Sequence, residues 1–173
     1  MTNGAKHPLF LSVVAGVVAL DIVTKVLAEQ FLRRGVGEPV FGDWLLLRLV
    51  YNPGAAFGIY LGPYSRWVFM ALAAVALVVL ASMARQTRPT QWLRMTAIGL
   101  VCGGAIGNLI DRVRSAEGVV DFIDVYLGPL HWPTFNVADM AVSCGAIALA
   151  GVLWFEGRQH ERAAARSADT AEA

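Results

Sequence analysis

Four long apolar runs, separated by polar segments, dominate the chain. They cover residues 9–28, 67–84, 95–112 and 137–156, and each is close to the roughly 20 residues that a helix needs to cross a bilayer. We therefore predict four transmembrane helices, which put both termini on the same side of the membrane. A cleaved signal peptide is the alternative for the first run, but that run continues through Asp21 and Lys25 with no clear small-residue cleavage site.

The segments between the runs differ in character. Residues 29–66 are rich in glycine and proline, and within them residues 44–51 (WLLLRLVY) have the β-forming composition of a strand lying on the membrane surface. Asn52 follows and opens an Asn-Pro-Gly turn signal, so that a turn former is its simplest interpretation. The predicted fold is an all-α membrane protein with a small β element: four transmembrane helices plus an outward-facing β-rich loop domain, forming one domain over residues 1–173.

The distribution of arginine orients the four predicted helices. The short loop 85–94 contains three arginines and no acid, which places it and both termini in the cytoplasm under the positive-inside rule. Segments 29–66 and 113–136 then face outward, and residues 157–173 form a flexible cytoplasmic tail. Composition agrees with a membrane protein, because 57% of residues are hydrophobic and 16% charged. The net charge of +1 gives no case for nucleic acid binding.

Carboxylates collect near the outer boundary of the predicted helices. Polar side chains at such depth usually face a functional interior. Two carboxyl groups that share one proton can hydrolyse a peptide bond, because the ionised group activates water while the protonated group polarises the carbonyl. The histidines are scattered and the cysteines lack ligand spacing, so we expect no metal site. The aspartates concerned are Asp21, Asp111, Asp121, Asp124 and Asp139.

Each of these aspartates also has a purely structural interpretation. Two form ion pairs with neighbouring cations, one belongs to a helix cap, and two are solvated loop residues. Spacing alone does not select the two that would act together. The expected ion pairs are Asp21 with Lys25 and Asp111 with Arg112. The expected helix cap is Asp139 with Asn136, and the expected loop residues are Asp121 and Asp124.

Five ordered motifs give the chain a family resemblance. They are DIVTK (21–25), YNPGAAFGI (51–59), GGAIGNLIDRV (103–113), VVDF (119–122) and FNVAD (135–139). Their order and separations resemble those of the lipoprotein signal peptidase family, also called signal peptidase II, whose members are membrane-embedded aspartic peptidases. Length and the four spans match as well, so the resemblance covers nearly the whole chain. Ile22 departs from it, since a polar residue is expected there.

The resemblance implies that Asp121 and Asp139 are the catalytic dyad. On physical grounds we expect residues 52–57 to form part of a lid carried by the strand at 44–51, and Asp111 to hold Arg112 by a charge-assisted bond. Eight further residues are implied to support the site or bind substrate: Asp21, Lys25, Asn52, Gly54, Asn108, Asp111, Arg112 and Asn136.

The implied substrate is a diacylglyceryl-modified prolipoprotein, cleaved before its lipidated cysteine. The resemblance implies a bacterial cell (inner) membrane location, an active site near the outer face, and no metal or organic cofactor. We expect the chain to function as a monomer among membrane lipids. Gly99, Gly103 and Gly107 share one face of the third helix, and we hypothesise that this face packs closely and, with small residues of the fourth helix, forms a groove for lipid chains.

Two functions of other classes compete with the peptidase. A small proton-coupled transporter or channel subunit would use intramembrane carboxylates as a relay, although here they cluster at one interface rather than along the span. A non-catalytic scaffold would pack through the glycine face, but it leaves the clustering of aspartates unexplained.

Overall fold

A computed structural model describes residues 8–54 and 60–172, without the side chains of residues 160 and 163–172. Within these residues, four helices are long and apolar enough to cross a membrane, as predicted. The first three helices each extend a few residues beyond their apolar runs. The helices are α1 (Pro8–Phe31), α2 (Ser65–Gln86, preceded by a 3₁₀ turn at Gly62–Tyr64), α3 (Trp92–Arg114) and α4 (Val137–Glu172).

The last helix is longer than expected. The transmembrane part was predicted to end at residue 156 and to be followed by a flexible tail, but α4 continues to Glu172. The continuation is rich in alanine, arginine and glutamate and contains no proline, and these residue types have high helix propensity. The physical reason for the difference is therefore local propensity, which carries the helix past the end of the apolar run.

Helix α3 lies at the centre of the bundle and packs mainly against α1 and α4. Its glycine face contacts α1, since a Cβ at Gly103 would lie 2.7 Å from Cβ of Val17 and one at Gly99 would lie 3.0 Å from Cγ1 of Val13. Gly104 packs against the backbone of α4. The prediction of close helix packing is confirmed, but the proposed lipid groove on this face is wrong because α1 and α4 already cover it.

Four antiparallel strands form one sheet in the order β1-β2-β3-β4. They are β1 (Gly37–Phe41), β2 (Leu45–Asn52), β3 (Val119–Leu127) and β4 (Leu130–Phe135). The predicted strand at 44–51 is confirmed as β2. The hairpin of β3 and β4 was not predicted, and the interpretation of Asp121 and Asp124 as solvated loop residues is wrong, since both are buried in β3.

The connections bring one end of the bundle and the sheet together. Strand β3 follows the end of α3 after four residues, and one residue separates the end of β4 from α4. Polar residues at the end of α3 and the start of α4 therefore lie beside β3. Residues 55–57, half of the predicted lid, lie outside the described residues; the other half, which includes Asn52 and Gly54, is described.

Candidate active site

A cavity of about 400 Å³ opens where α3, α4 and the sheet meet. Its lining residues come from β2, α3, β3, β4 and α4, and they include both Asp121 and Asp139. Asp121 lies on β3, and Asp139 lies in the first turn of α4. The sheet and the helical bundle thus each supply one carboxylate to the same space.

The carboxyl group of Asp121 is buried and held at both oxygens. Nδ2 of Asn136 donates to Oδ1 at 2.7 Å, and Nδ2 of Asn52 donates to Oδ2 at 3.1 Å. Burial and, to a smaller extent, the negative charge of Asp139 raise the pKa of Asp121 to about 7, against the lowering effect of the two amide donors. Near neutral pH this carboxyl group therefore exchanges a proton readily.

Asp139 is held by a helix cap and by α3. Its backbone N–H donates to Oδ1 of Asn136 at 2.9 Å, while its own Oδ2 accepts from the backbone N–H of Asn136 at 3.3 Å. This reciprocal pair is the capping box anticipated from the sequence. Nδ2 of Asn108 donates to Oδ1 of Asp139 at 2.8 Å. The capping and functional interpretations thus apply to the same residue, because the cap leaves the carboxylate facing the cavity.

Asn108 is oriented by what its oxygen accepts. Nζ of Lys25 donates to Oδ1 at 3.0 Å, and Nδ2 of Asn136 lies 3.2 Å from the same oxygen. With Oδ1 facing two donors, the amide nitrogen faces the carboxylate of Asp139. Lys25 therefore acts on Asp139 through one intervening amide rather than by direct contact.

Lys25 is 1% exposed and joins α1 to α3. Its Nζ lies 2.8 Å from Oδ2 of Asp21 and 2.8 Å from Oδ2 of Asp111. Both carboxylates also accept backbone N–H groups of neighbouring elements, Asp21 from Ala138 at 2.9 Å and Asp111 from Val120 at 3.2 Å. The pair of Asp21 and Lys25 expected from their spacing exists, but it lies inside the bundle, where it ties α1, α3, β3 and α4 together.

The expected bond between Asp111 and Arg112 is wrong, because Asp111 bonds Lys25 and the backbone N–H of Val120 instead. Adjacent positions on a helix point in different directions, so they do not face each other. The guanidinium of Arg112 donates to the carbonyl of Gly54 at 2.7 Å and to that of Asn108 at 3.3 Å. Arg112 thus fixes the end of β2 and its turn against α3.

All ten predicted site residues lie in this one region, connected by the bonds described above. The structure adds residues that sequence reasoning missed, chiefly Trp132, Pro133 and Phe135 of β4, which line the cavity. The signal for their strand was present: residues 119–127 are rich in β-branched and aromatic types, and Gly128 follows with a proline directly after it.

These observations define the chain as a multi-pass membrane protein with a carboxylate-lined cavity at one end of its bundle. The family model described as signal peptidase (SPase) II matches residues 13–155. The chain belongs to the signal peptidase II family, and it is a bacterial membrane peptidase that acts on prolipoproteins. Family membership does not favour the proton-coupled transporter.

Individual relatives agree. The lipoprotein signal peptidase of Syntrophotalea carbinolica is 44% identical over 158 residues, which cover 91% of this chain and 98% of the relative. That of Hydrogenovibrio crunogenus is 45% identical over 156 residues, covering 85% and 86%. A solved bacterial membrane enzyme superposes with a TM-score of 0.78 at 30% identity, covering 86% of this chain and 88% of the other.

Proposed function

We propose that this peptidase is an aspartic endopeptidase whose catalytic dyad is Asp121 and Asp139. The observation that carries the proposal is that these two carboxyl groups line one cavity and that the pKa of Asp121 is raised to about 7. A dyad requires one proton to be shared near the working pH. Burial beside a second carboxylate provides that condition at neutral pH.

The proposed reaction begins with Asp139 ionised and Asp121 protonated. The carboxylate of Asp139 lies at the N-terminus of α4, where the helix dipole stabilises negative charge. It takes a proton from water as the water oxygen attacks the scissile carbonyl carbon, while Asp121 gives its proton to the carbonyl oxygen. The resulting gem-diol then collapses: Asp121 takes back a proton, Asp139 passes one to the leaving amine, and the C–N bond breaks.

The neighbouring polar residues are proposed to hold this pair rather than to react. Asn52, Asn108 and Asn136 donate N–H groups to the two carboxyl groups and restrict their orientation. Lys25 orients Asn108 and Arg112 anchors the turn after β2, so their removal would disturb the dyad indirectly. Asp21, Gly54 and Asp111 complete this support through the contacts described above.

The proposed substrate is a prolipoprotein that carries diacylglycerol on the cysteine following the cleaved bond. A site at one end of a transmembrane bundle suits a signal helix that lies in the bilayer and exposes its cleavage point at the surface. We propose that the termini are cytoplasmic, because of the arginines of loop 85–94, and that the cavity faces the outer leaflet. We also propose that one chain suffices for activity and that the lipid chains of the substrate stay in the membrane.

The test is cleavage of a diacylglyceryl-modified prolipoprotein by the purified protein in detergent. Asp121→Asn and Asp139→Asn are each expected to lower kcat by at least about 10³-fold while substrate binding persists. Asp43→Asn is the matched control, since Asp43 is an exposed carboxylate in the turn between β1 and β2. It is expected to cleave at the wild-type rate.

Either dyad variant that folds and cleaves at the wild-type rate would remove that aspartate from the mechanism. Equal cleavage of the lipidated and unlipidated precursor would instead overturn the proposed substrate requirement. Inactivity of the Asp43→Asn control would show that loss of any carboxylate disturbs the protein. Inactivity of the dyad variants would then no longer identify Asp121 and Asp139 as catalytic.

A further inference from the structure

We propose that Asp124 is a positioning residue that fixes β4 as the substrate-facing wall of the cavity and thereby sets selectivity at the cleavage site. The proposal deepens the proposed function and rests on it. Asp124 is 0% exposed, yet it does not line the cavity and takes no part in the mechanism above. A fully buried carboxylate is costly to retain without a role, which prompts the question of what it holds.

The strand that Asp124 contacts has an irregular register directly opposite it. Ile123 pairs with Phe135, whereas Val125 pairs with Trp132, so that one residue on β3 faces two on β4. This is a β-bulge, which bends a strand and re-aims its side chains. One of the two bulged residues is Pro133, which has no N–H to give to the ladder. The backbone pairing of β4 is therefore weakest where β4 lines the cavity.

The carboxylate of Asp124 bridges this weak point. Its Oδ1 lies 2.6 Å from Nε2 of His131 and accepts from Oγ1 of Thr134 at 3.3 Å. His131 precedes the bulge and Thr134 is one of its two residues, so a single oxygen holds β4 both before the bulge and within it. Because a carboxylate only accepts hydrogen bonds, the hydrogen of the first contact belongs to Nε2 of His131.

Other groups hold Asp124 and His131 in place. Nε of Arg48 on β2 lies 3.2 Å from Oδ2 of Asp124 and balances its charge, although the two atoms do not meet hydrogen-bond geometry. Nη2 of the same guanidinium donates to the hydroxyl of Tyr126 at 3.2 Å, and the ring of Tyr126 stacks on His131 with 4.5 Å between centroids. The cluster thus ties β4 to both β3 and β2.

The consequence concerns the shape of the cavity. Trp132, Pro133 and Phe135 present apolar surface to the same space as the dyad. If Asp124 sets the bulge, it sets the distance between this surface and the reacting carboxyl groups. Loss of Asp124 should therefore alter which side chains are accepted next to the scissile bond, more than it alters the chemical step.

The first measurement compares two lipidated prolipoproteins that differ only in the size of the residue before the modified cysteine. Asp124→Asn and Thr134→Val are each expected to raise KM more than they lower kcat, and to change the ratio of kcat/KM between the two substrates by about fivefold. Thr134→Ser keeps the hydroxyl and is expected to restore the wild-type ratio. Glu38→Gln, which removes an exposed carboxylate on β1, is expected to leave both substrates unaffected.

A second measurement does not depend on cleavage. Hydrogen exchange of the amides in residues 130–135 is expected to be about tenfold faster in Asp124→Asn and Thr134→Val than in wild type, because each loses a bond to a charged group. If Asp124→Asn does not fold, hydrogen exchange in Thr134→Val compared with Thr134→Ser decides the matter, because Thr134 itself lines the cavity and its replacement can change the substrate ratio directly. Unchanged exchange in β4, or a substrate ratio unchanged in both variants, overturns the proposal. A wild-type protein that cleaves neither substrate overturns the proposed function instead, and exchange alone then decides whether Asp124 fixes β4.

Discussion

Replacing Lys25 by methionine should be among the most destabilising single changes in the protein. Lys25 is buried between Asp21 and Asp111, with 2.8 Å from its Nζ to an oxygen of each. Methionine has a similar shape but no charge, so the variant would leave two buried carboxylates without a counter-ion. Removing one partner of a buried ion pair typically costs about 3–5 kcal/mol. The total free energy of unfolding of a native protein is only about 5–15 kcal/mol.

The assay is unfolding of the purified protein in detergent micelles, followed by tryptophan fluorescence. For a chain of this size, the expected loss corresponds to a fall of Tm by about 6–20 °C. The control is the triple variant Asp21→Asn, Lys25→Met, Asp111→Asn. It removes all three charges while leaving amide oxygens that can accept the backbone N–H groups of Ala138 and Val120.

The comparison of the single with the triple variant tests the electrostatic reasoning. A fully neutral replacement of a buried charged cluster is often close to neutral in stability, so the triple variant should be more stable than Lys25→Met alone. If Lys25→Met unfolds within about 1 kcal/mol of wild type, or if the triple variant is less stable than the single one, charge compensation is not what Lys25 contributes.

Three further outcomes follow from the site and the packing. Because the pKa of Asp121 is raised to about 7, its proton is lost as pH rises through that value. A measured profile of kcat/KM against pH should therefore fall about tenfold per pH unit above pH 7. A flat profile from pH 7 to 9 would contradict this prediction. Gly118→Ala should lower activity, since φ is +113° there and the new Cβ would collide with the backbone of Asn52; Gly128→Ala, with φ +61° and open space, is the control assayed beside it. Gly104→Ala should lower Tm through a loss of about 1–3 kcal/mol, because a methyl group there collides with the α4 backbone.

The helical part of the fold could be predicted because it depends on apolar run length. A run of about 20 apolar residues has few alternatives to a transmembrane helix. Apolar run length does not predict where a helix ends, since α4 continues through polar residues whose helix propensity does not depend on the membrane. The glycine spacing predicted close packing but not the partner, because spacing describes one helix face and not what lies against it.

The sheet was predicted only in part. Strand β2 has an obvious β-forming run, whereas β3 contains two acidic residues that suggested a solvated loop. Asp121 and Asp124 are buried because each finds polar partners from other elements, such as Asn136 and Thr134. Those partners are distant in the chain or on the next strand, so sequence spacing does not reveal them.

The site residues came from motif order rather than from geometry. Sequence spacing left Asp139 with a capping role and Asn52 with a turn role, and both roles exist in the structure. The N–H of Gly54 donates to Oδ1 of Asn52 at 3.0 Å, which is the expected turn bond. The other polar atoms of the same side chains contact site residues: Nδ2 of Asn52 donates to Asp121, and Oδ1 of Asp139 accepts from Asn108. At Asn52 and Asp139 a structural role and a role in the site are therefore compatible, and the same side chain has both.

The arrangement of amides explains how the charged cluster and the proposed dyad coexist. Asn108 stands between Lys25 and Asp139, so the cation that compensates Asp21 is kept one hydrogen bond away from the reacting pair. The positive charge of Lys25 lowers the pKa of Asp121, but this effect is smaller than those of the amide donors Asn52 and Asn136. A cation in direct contact would hold both carboxyl groups ionised and prevent them from sharing a proton. Neutral amides orient the carboxyl groups without this penalty, which is why asparagine rather than lysine or arginine suits these positions.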